Sequence, residues 1–455
     1  MDPSTAVATD PVLTLLGFAA LIVLLLFLIA KWRWHVFLAL LVPIILFGII
    51  PGVQQNNFIK AFETGFGNTL GKIGVVIVLG SIIAEALKHT GAIEVITRSM
   101  VRLVGKKRMP LALTLAGFIL GIAIFSDVAY VILNPLVHSA AHATGVGISV
   151  MSTGLVGALQ LTHAIVPPTP GPLAAAALVG ADIGKTILFG SIACLFGSLA
   201  SWIWGRYLIG PRIKTPPSPE FTGTTFLDDQ DARPRLTTLN SYTPIVIPIV
   251  LICAQSIAKL VLDEGNLLRK GLEYLGWPVV ALSIGVWLAY RNIKTKEDRQ
   301  KAKNQWVEDG LRASAMILVV TGLGGSLSVI LRGTPAVTYI AEFFASSGLP
   351  AIVLPFILGI IGNMITGSTT VGVITAASLI APMLTTLSLS PEAAMLAAAS
   401  GSVIIKYVNS SYFWVCTSLS RLTVSDAILS YGGATLVGGV VSFAVVCVLW
   451  SVGFI

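Results

Sequence analysis

The string FILGI stands at Phe118–Ile122 and again at Phe356–Ile360, 238 residues further on. Outward from that pair, Val75–Ala84 (VVIVLGSIIA) aligns with Ile317–Ser326 (ILVVTGLGGS), and Ile187–Gly197 (ILFGSIACLFG) aligns with Ile428–Gly438 (ILSYGGATLVG). The register drifts by only a few residues, so the chain reads as two versions of one unit. Solenoid repeats run about 20 to 50 residues, far shorter than this period. In an apolar chain, a duplication of this length points to the paired halves of a secondary transporter.

Composition places those halves in a bilayer. Hydrophobic residues make up 55% of the chain and charged residues 11%, against about 25% charged in ordinary soluble domains. Mean hydropathy is +0.88. The expected fold class is therefore an all-α polytopic membrane protein. Apolar runs long enough to cross roughly 30 Å of hydrocarbon predict ten transmembrane helices: 11–30, 35–50, 66–88, 148–178 (broken), 184–208, 241–262, 275–290, 307–331, 392–420 (broken) and 425–450. Two further apolar segments, 110–143 and 351–386, are interrupted midway by polar residues and Gly and are read as re-entrant helical hairpins.

Placing the N-terminus outside puts most of the 29 Lys and Arg on the cytoplasmic side, among them RSMVRLVGKKR at 98–108 and RNIKTKEDRQKAK at 291–303. Lys72 and Lys406 are the basic residues left at membrane depth. Five crossings per half is an odd number, so the second half enters the membrane inverted and both termini are expected on the outer side. The first repeat is 1–208 and the second 241–455. Between them, 209–240, rich in Pro, Thr and charge, reads as a cytoplasmic linker. The net charge of +8 is explained by loop residues and gives no nucleic-acid surface. Cys194, Cys253, Cys416 and Cys447 lie in apolar runs without ligand spacing, so neither metal nor disulfide is expected. The opening MDPSTAVATDP has no basic stretch ahead of the apolar run 12–30, which is read as a retained first helix.

Backbone that leaves the helix at membrane depth must be covered by protein or line a cavity, so the breaks locate the site. Phe125-Ser126-Asp127 sits at the middle of hairpin 110–143. His163-Ala-Ile-Val-Pro-Pro-Thr-Pro-Gly-Pro172 interrupts the following span, because four prolines in six residues forbid continuous helix. In the second half, Asn363-Met-Ile-Thr-Gly-Ser-Thr-Thr370 marks the hairpin, and Lys406-Tyr-Val-Asn-Ser-Ser-Tyr412 marks the break. Opened helix ends present N–H groups to a carboxylate, and C=O groups with Ser, Thr and Asn oxygens to a cation or water. Ser126, Asp127, His163, Thr169, Gly367, Ser368, Thr369, Lys406, Asn409 and Ser411 are the candidate substrate-binding residues.

Each has a plainer reading beside it. A hydroxyl in a membrane helix often bonds back to a carbonyl. Asp127 either carries a proton or caps the returning hairpin arm. Lys406 pairs with the substrate carboxylate, replaces a coupling cation, neutralises Asp127, or serves a structural ion pair. His163 either titrates in coupling or is a satisfied structural group. Gly67-Asn68-Thr69 is read as a cap opening the third span, and Glu85 with Lys88 as a structural pair.

GFGNTLGKIG at 65–74, IFSDVAYVILNPL at 124–136, HAIVPPTPGP at 163–172, GSTTVGVITAASLIAP at 367–382 and YVNSSYFW at 407–414 together resemble the gluconate permease (GntP) family of the ion transporter superfamily. The resemblance covers nearly the whole chain. It implies proton-coupled uptake of gluconate, related sugar acids or small hydroxy acids across a bacterial inner membrane. It also implies a homodimer in which the hairpins and broken helices slide as an elevator against a scaffold, with no cofactor. Two positions depart from the family pattern. Thr169 stands where the PPxPGP string usually carries His, and Tyr407-Val-Asn-Ser410, preceded by Lys406, stands where the family usually has His-Val-Asn-Asp. A titratable His and a carboxylate are absent and a fixed cation is present, which moves proton coupling onto Asp127 or His163, or onto another ion. A passive anion facilitator is the competing reading. A membrane-embedded enzyme is disfavoured because no H-E-x-x-H, G-x-S-x-G or paired carboxylates appear.

Overall fold

The computed structural model describes residues 11–50, 53, 58–105, 108–219, 236–332, 348–404, 406–407 and 410–455. Among these the chain is all helical, without strands. The first half comprises α1 (Pro11–Ala30), α2 (Val36–Phe47), α3 (Phe58–Thr90), α4 (Ala92–Val104), α5 (Met109–Leu120), α6 (Ser126–Thr144), α7 (Ile148–Ile165), α8 (Pro170–Val179) and α9 (Ile183–Ile203). The second comprises α10 (Thr238–Val261), α11 (Leu267–Leu275), α12 (Pro278–Arg291), α13 (Lys296–Lys303), α14 (Gln305–Arg332), α15 (Val353–Thr366), α16 (Thr369–Ile380), α17 (Pro391–Ser402), α18 (Ser411–Leu419), α19 (Val424–Ala427) and α20 (Gly433–Ser451).

Helix starts follow local capping chemistry. Asp182 accepts the Lys185 N–H at 2.8 Å ahead of α9, Asn266 accepts the Leu268 N–H at 2.8 Å ahead of α11, and Ser390 accepts the Ala393 N–H at 3.3 Å ahead of α17. The Asp182 cap is also a junction. Its carboxylate accepts from Ser256 on α10 at 2.6 Å, and its backbone N–H donates to Glu392 on α17 at 3.0 Å, which ties elements of both halves together.

The longest helices, α3 and α14, pack against each other over much of their length. They approach so closely that a Cβ added to Gly65 would lie 2.5 Å from the Gly325 carbonyl oxygen. Because α3 begins at Phe58, Gly67-Asn68-Thr69 lies inside the helix and caps nothing. This corrects the expectation of a helix start there: the close crossing with α14 is at Gly65, while a Cβ on Gly67 would meet nothing within 4 Å. The Glu85–Lys88 pair forms at 3.1 Å, and Glu85 also meets His89 Nε2 at 3.5 Å. Lys72 is exposed.

Two expected spans are shorter or more bent than their apolar runs. Residues 35–50 yield only the 12-residue α2, with Pro43 inside it, about 18 Å at 1.5 Å per residue. Residues 275–290 fall in α12, which meets α11 at a 60° bend. Five helical stretches among the described residues are individually long and apolar enough to cross a bilayer, or seven if each bent pair counts once.

Every residue of the stretch Ile148–Val179, α7 and α8 together, is buried except the half-buried Ala177. That explains how a break carrying four prolines between and at the start of these helices is tolerated: protein encloses its opened backbone. Its N-terminal half is locked by hydroxyls. Ser149 bonds Ser430 at 3.2 Å, Ser152 bonds Tyr431 at 2.9 Å, Thr153 bonds Ser430, and Tyr431 donates to Ser420 at 2.5 Å. Residues 209–219 dock below α6, where the Ser218 N–H donates to His138 Nδ1 at 2.9 Å and the Ser218 carbonyl meets His142 Nε2 at 2.8 Å. The remainder of the expected linker up to 235 lies outside the described residues, and α10 already begins at Thr238.

Candidate functional site

Three helix N-termini converge on the buried α7–α8 segment. The α5–α6 connection ends at Ser126, the first residue of α6. After α7 stops at Ile165, Pro170 restarts the chain as α8, the position where a missing N–H and a fixed φ suit a helix start. Gly367 closes α15 with φ +70°, and Ser368 and Thr369 open α16. The α8 and α16 N-termini abut: a Cβ on Gly171 would sit 3.1 Å from Thr370 Oγ1 and 3.2 Å from its Cα. Helix N-termini carry a partial positive charge that favours an anion, although in the first turn of α8 Pro170 and Pro172 have no N–H to offer.

Gln160 on α7 joins the first residues of α6 and α16. Its carbonyl oxygen accepts from Ser126 Oγ at 3.2 Å, and its amide nitrogen donates to Thr369 Oγ1 at 3.0 Å. The carboxamide is 2% exposed and links α6, α7 and α16 through one side chain. Sequence reading missed it. The available signal was a lone amide in an apolar run, one helical turn before His163.

Lys406, in the second break, is 3% exposed. Its ammonium donates to Asn363 Oδ1 at 2.8 Å and to the Gly367 carbonyl at 2.9 Å, and Asn363 in turn donates from Nδ2 to the Ile404 carbonyl at 2.9 Å. The cation therefore caps the carbonyl end of α15, where a helix dipole favours positive charge. It forms no ion pair with Asp127 or any other carboxylate among the described residues. Asn363 is a second residue that sequence reading left out of the site.

Thr169 spends its hydroxyl on the break itself, donating to the His163 and Val166 carbonyls at 2.8 Å each. Ser368 acts as the N-cap of α16, accepting the Val371 N–H at 3.3 Å. Asp127 is half-buried in the first turn of α6, with Oδ1 accepting the Val128 N–H at 2.9 Å. His163 lies under the Phe125 ring, centroids 5.4 Å apart, and both Asp127 and Lys406 act on it electrostatically. Ser411 is exposed at the first turn of α18 and stands apart from this cluster. Asn409 lies outside the described residues.

A small cavity borders the cluster, walled by Gly80 and Ser81 of α3, Phe125, His163, Pro168 and Pro244 of α10 among others. About 20 Å³ of it is open to the centre of a water molecule. That is room for an ordered water and far too little for an organic acid.

The chain as a whole is similar to known proteins. The solved structure of the Alcanivorax borkumensis YdaH transporter superposes with a TM-score of 0.63 over 87% of this chain and 89% of that one, at 17% identity, which speaks to fold alone. An uncharacterized permease of Haemophilus influenzae is 31% identical over 88% of this chain and 84% of its own length. The Escherichia coli high-affinity gluconate transporter is 29% identical over 90% of this chain and 93% of its own. The E. coli D-serine transporter DsdX is 30% identical over 93% and 95% respectively. The profile of the GntP family permeases matches residues 13–453. With nearly the whole chain inside that match, the protein belongs to the GntP family permeases: it is a multi-pass membrane transporter and not an enzyme.

Proposed function

We propose that this chain is a secondary active transporter that imports a small hydroxy monocarboxylate or sugar acid, gluconate-like, together with a proton. The observation that carries the reading is the convergence of the α6, α8 and α16 N-termini on the Gln160 bridge. The positive helix ends suit a carboxylate, and Ser126, Gln160 and Thr369 offer both donors and acceptors to a neighbouring hydroxyl. Gluconate and D-serine, the substrates of the gluconate and D-serine transporters this chain resembles, share that chemistry: a carboxylate with a hydroxyl a few atoms away.

The wider assembly follows the duplicated sequence. Two inverted repeats of five crossings would place both termini outside a bacterial inner membrane. The hairpins and broken helices would form a body that moves as an elevator against a scaffold containing α3 and α14, in a homodimer. Asp127 and His163 are the proton-coupling groups, since they are the titratable side chains of the first-half cluster. Lys406 supports a second reading, in which transport is sodium-coupled or uncoupled, because a fixed cation already satisfies the carbonyl end of α15.

Uptake into proteoliposomes separates these readings, using a panel of sugar acids, lactate-like acids, hydroxy amino acids and dicarboxylates under imposed proton or sodium gradients. A proton gradient is expected to drive accumulation of a hydroxy monocarboxylate by the wild type and to fail with Asp127→Asn. Full gradient-driven accumulation by Asp127→Asn would remove the coupling assignment.

A further inference from the structure

Two buried polar atoms without a hydrogen-bond partner, one on α3 and one on α7, occur at the same cavity: Ser81 Oγ and His163 Nδ1. Ser81 is 2% exposed and His163 6%. An unpaired buried polar group carries a desolvation penalty and is normally relieved by protein or by ordered water. Here two such groups face a space sized for water and otherwise walled by apolar side chains, by Thr169, whose hydroxyl is spent on the His163 and Val166 carbonyls, and by the Pro168 segment, whose carbonyl comes within 3.2 Å of a Cβ built on Gly80.

We infer that this cavity is a water site that serves as the proton station of the transporter, with Ser81 and His163 holding one water between α3 and α7. The inference rests on the proton-coupled reading above and assigns the proton a place apart from the substrate seat. In the loaded state a hydronium in the cavity gives up a proton: one O–H bond breaks, an N–H bond forms at His163 Nδ1, and neutral water stays bound to Ser81. The single positive charge travels with the substrate carboxylate, so the loaded site is neutral overall.

The charged groups acting on His163 are Asp127, in the first turn of α6, and Lys406, in the second break. Phe125 covers the ring, and the remaining walls contribute Pro244, Ile245, Pro248 and Leu282, none of which titrates. Glu85, one turn beyond Ser81 on α3, is engaged by Lys88 and His89. The position of the cavity gives the station its significance. Its walls come from α3, α10 and α12 on one side and from the hairpin tip and the Pro-rich break on the other. Relative motion of these two groups would open or close it.

Two measurements test the inference. In a high-resolution cryo-EM map of the full chain in nanodiscs, a water is expected within hydrogen-bonding distance of both Ser81 Oγ and His163 Nδ1. In proteoliposomes, the pH midpoint of uptake by Ser81→Ala is expected to move to more acidic pH by about half a unit to one unit, as loss of one hydrogen bond to the protonated form dictates. Ser81→Thr, which keeps the hydroxyl, should restore the wild-type profile. A map with both side chains resolved and no water between them would overturn the inference, as would a Ser81→Ala profile that superimposes on the wild type. Failure of the transport reading has a different signature: wild-type vesicles that accumulate none of the acids under either gradient.

Discussion

In the first break the freed carbonyls of His163 and Val166 are met by a neutral hydroxyl, that of Thr169, held in place by the prolines around it. In the second, the carbonyl end of α15 is met by an ammonium, that of Lys406, oriented by Asn363. Both devices satisfy C=O groups that an interrupted helix cannot satisfy internally. They differ in charge. The first leaves its surroundings neutral, with His163 Nδ1 still open; the second commits a buried cation to structure before any substrate arrives. The helix N-termini differ too: Ser368 caps α16, whereas Thr169 turns its hydroxyl to carbonyls and leaves α8 without a side-chain cap. Lys406 therefore spends its ammonium on the carbonyl end of α15 and on Asn363.

Changing the charged device should have the larger effect. Lys406→Met removes two charge-assisted hydrogen bonds and leaves the Gly367 carbonyl and Asn363 Oδ1 buried and unmet, an expected loss of about 3 kcal/mol. Thermal unfolding in detergent should show a clear drop in midpoint, and transport should fall with it. A variant as stable as the wild type would return Lys406 to the substrate as its partner.

The neutral device should matter less. Thr169→Val keeps the volume and deletes one hydroxyl shared by two carbonyls, an expected loss of about 1 kcal/mol. The same thermal assay measures it. A loss equal to that of Lys406→Met would erase the distinction between the breaks.

The difference also shows what could be read without coordinates. Four prolines between 167 and 172 announce that α7 stops and α8 restarts, because Pro lacks the N–H a continuous helix needs. The family, too, is visible in contiguous strings such as GSTTVGVITAASLIAP. Gln160 and Ser81 were not legible, since each is a solitary polar residue in an apolar run and gains meaning only from partners on other helices: Ser126 and Thr369 for one, the cavity wall opposite His163 for the other. Gly67-Asn68-Thr69 misled in the opposite way. Its composition suits a cap, but α3 already begins at Phe58 and runs through it. Ser411 is exposed at the start of α18.

The central claim is that Gln160 and the two helix starts it joins form the seat of the organic anion. Calorimetric binding to purified wild type and Gln160→Ala, with whichever acid of the panel the wild type takes up, tests it directly. Loss of both hydrogen bonds predicts affinity weakened by roughly tenfold or more. Equal affinity in the two proteins would contradict it.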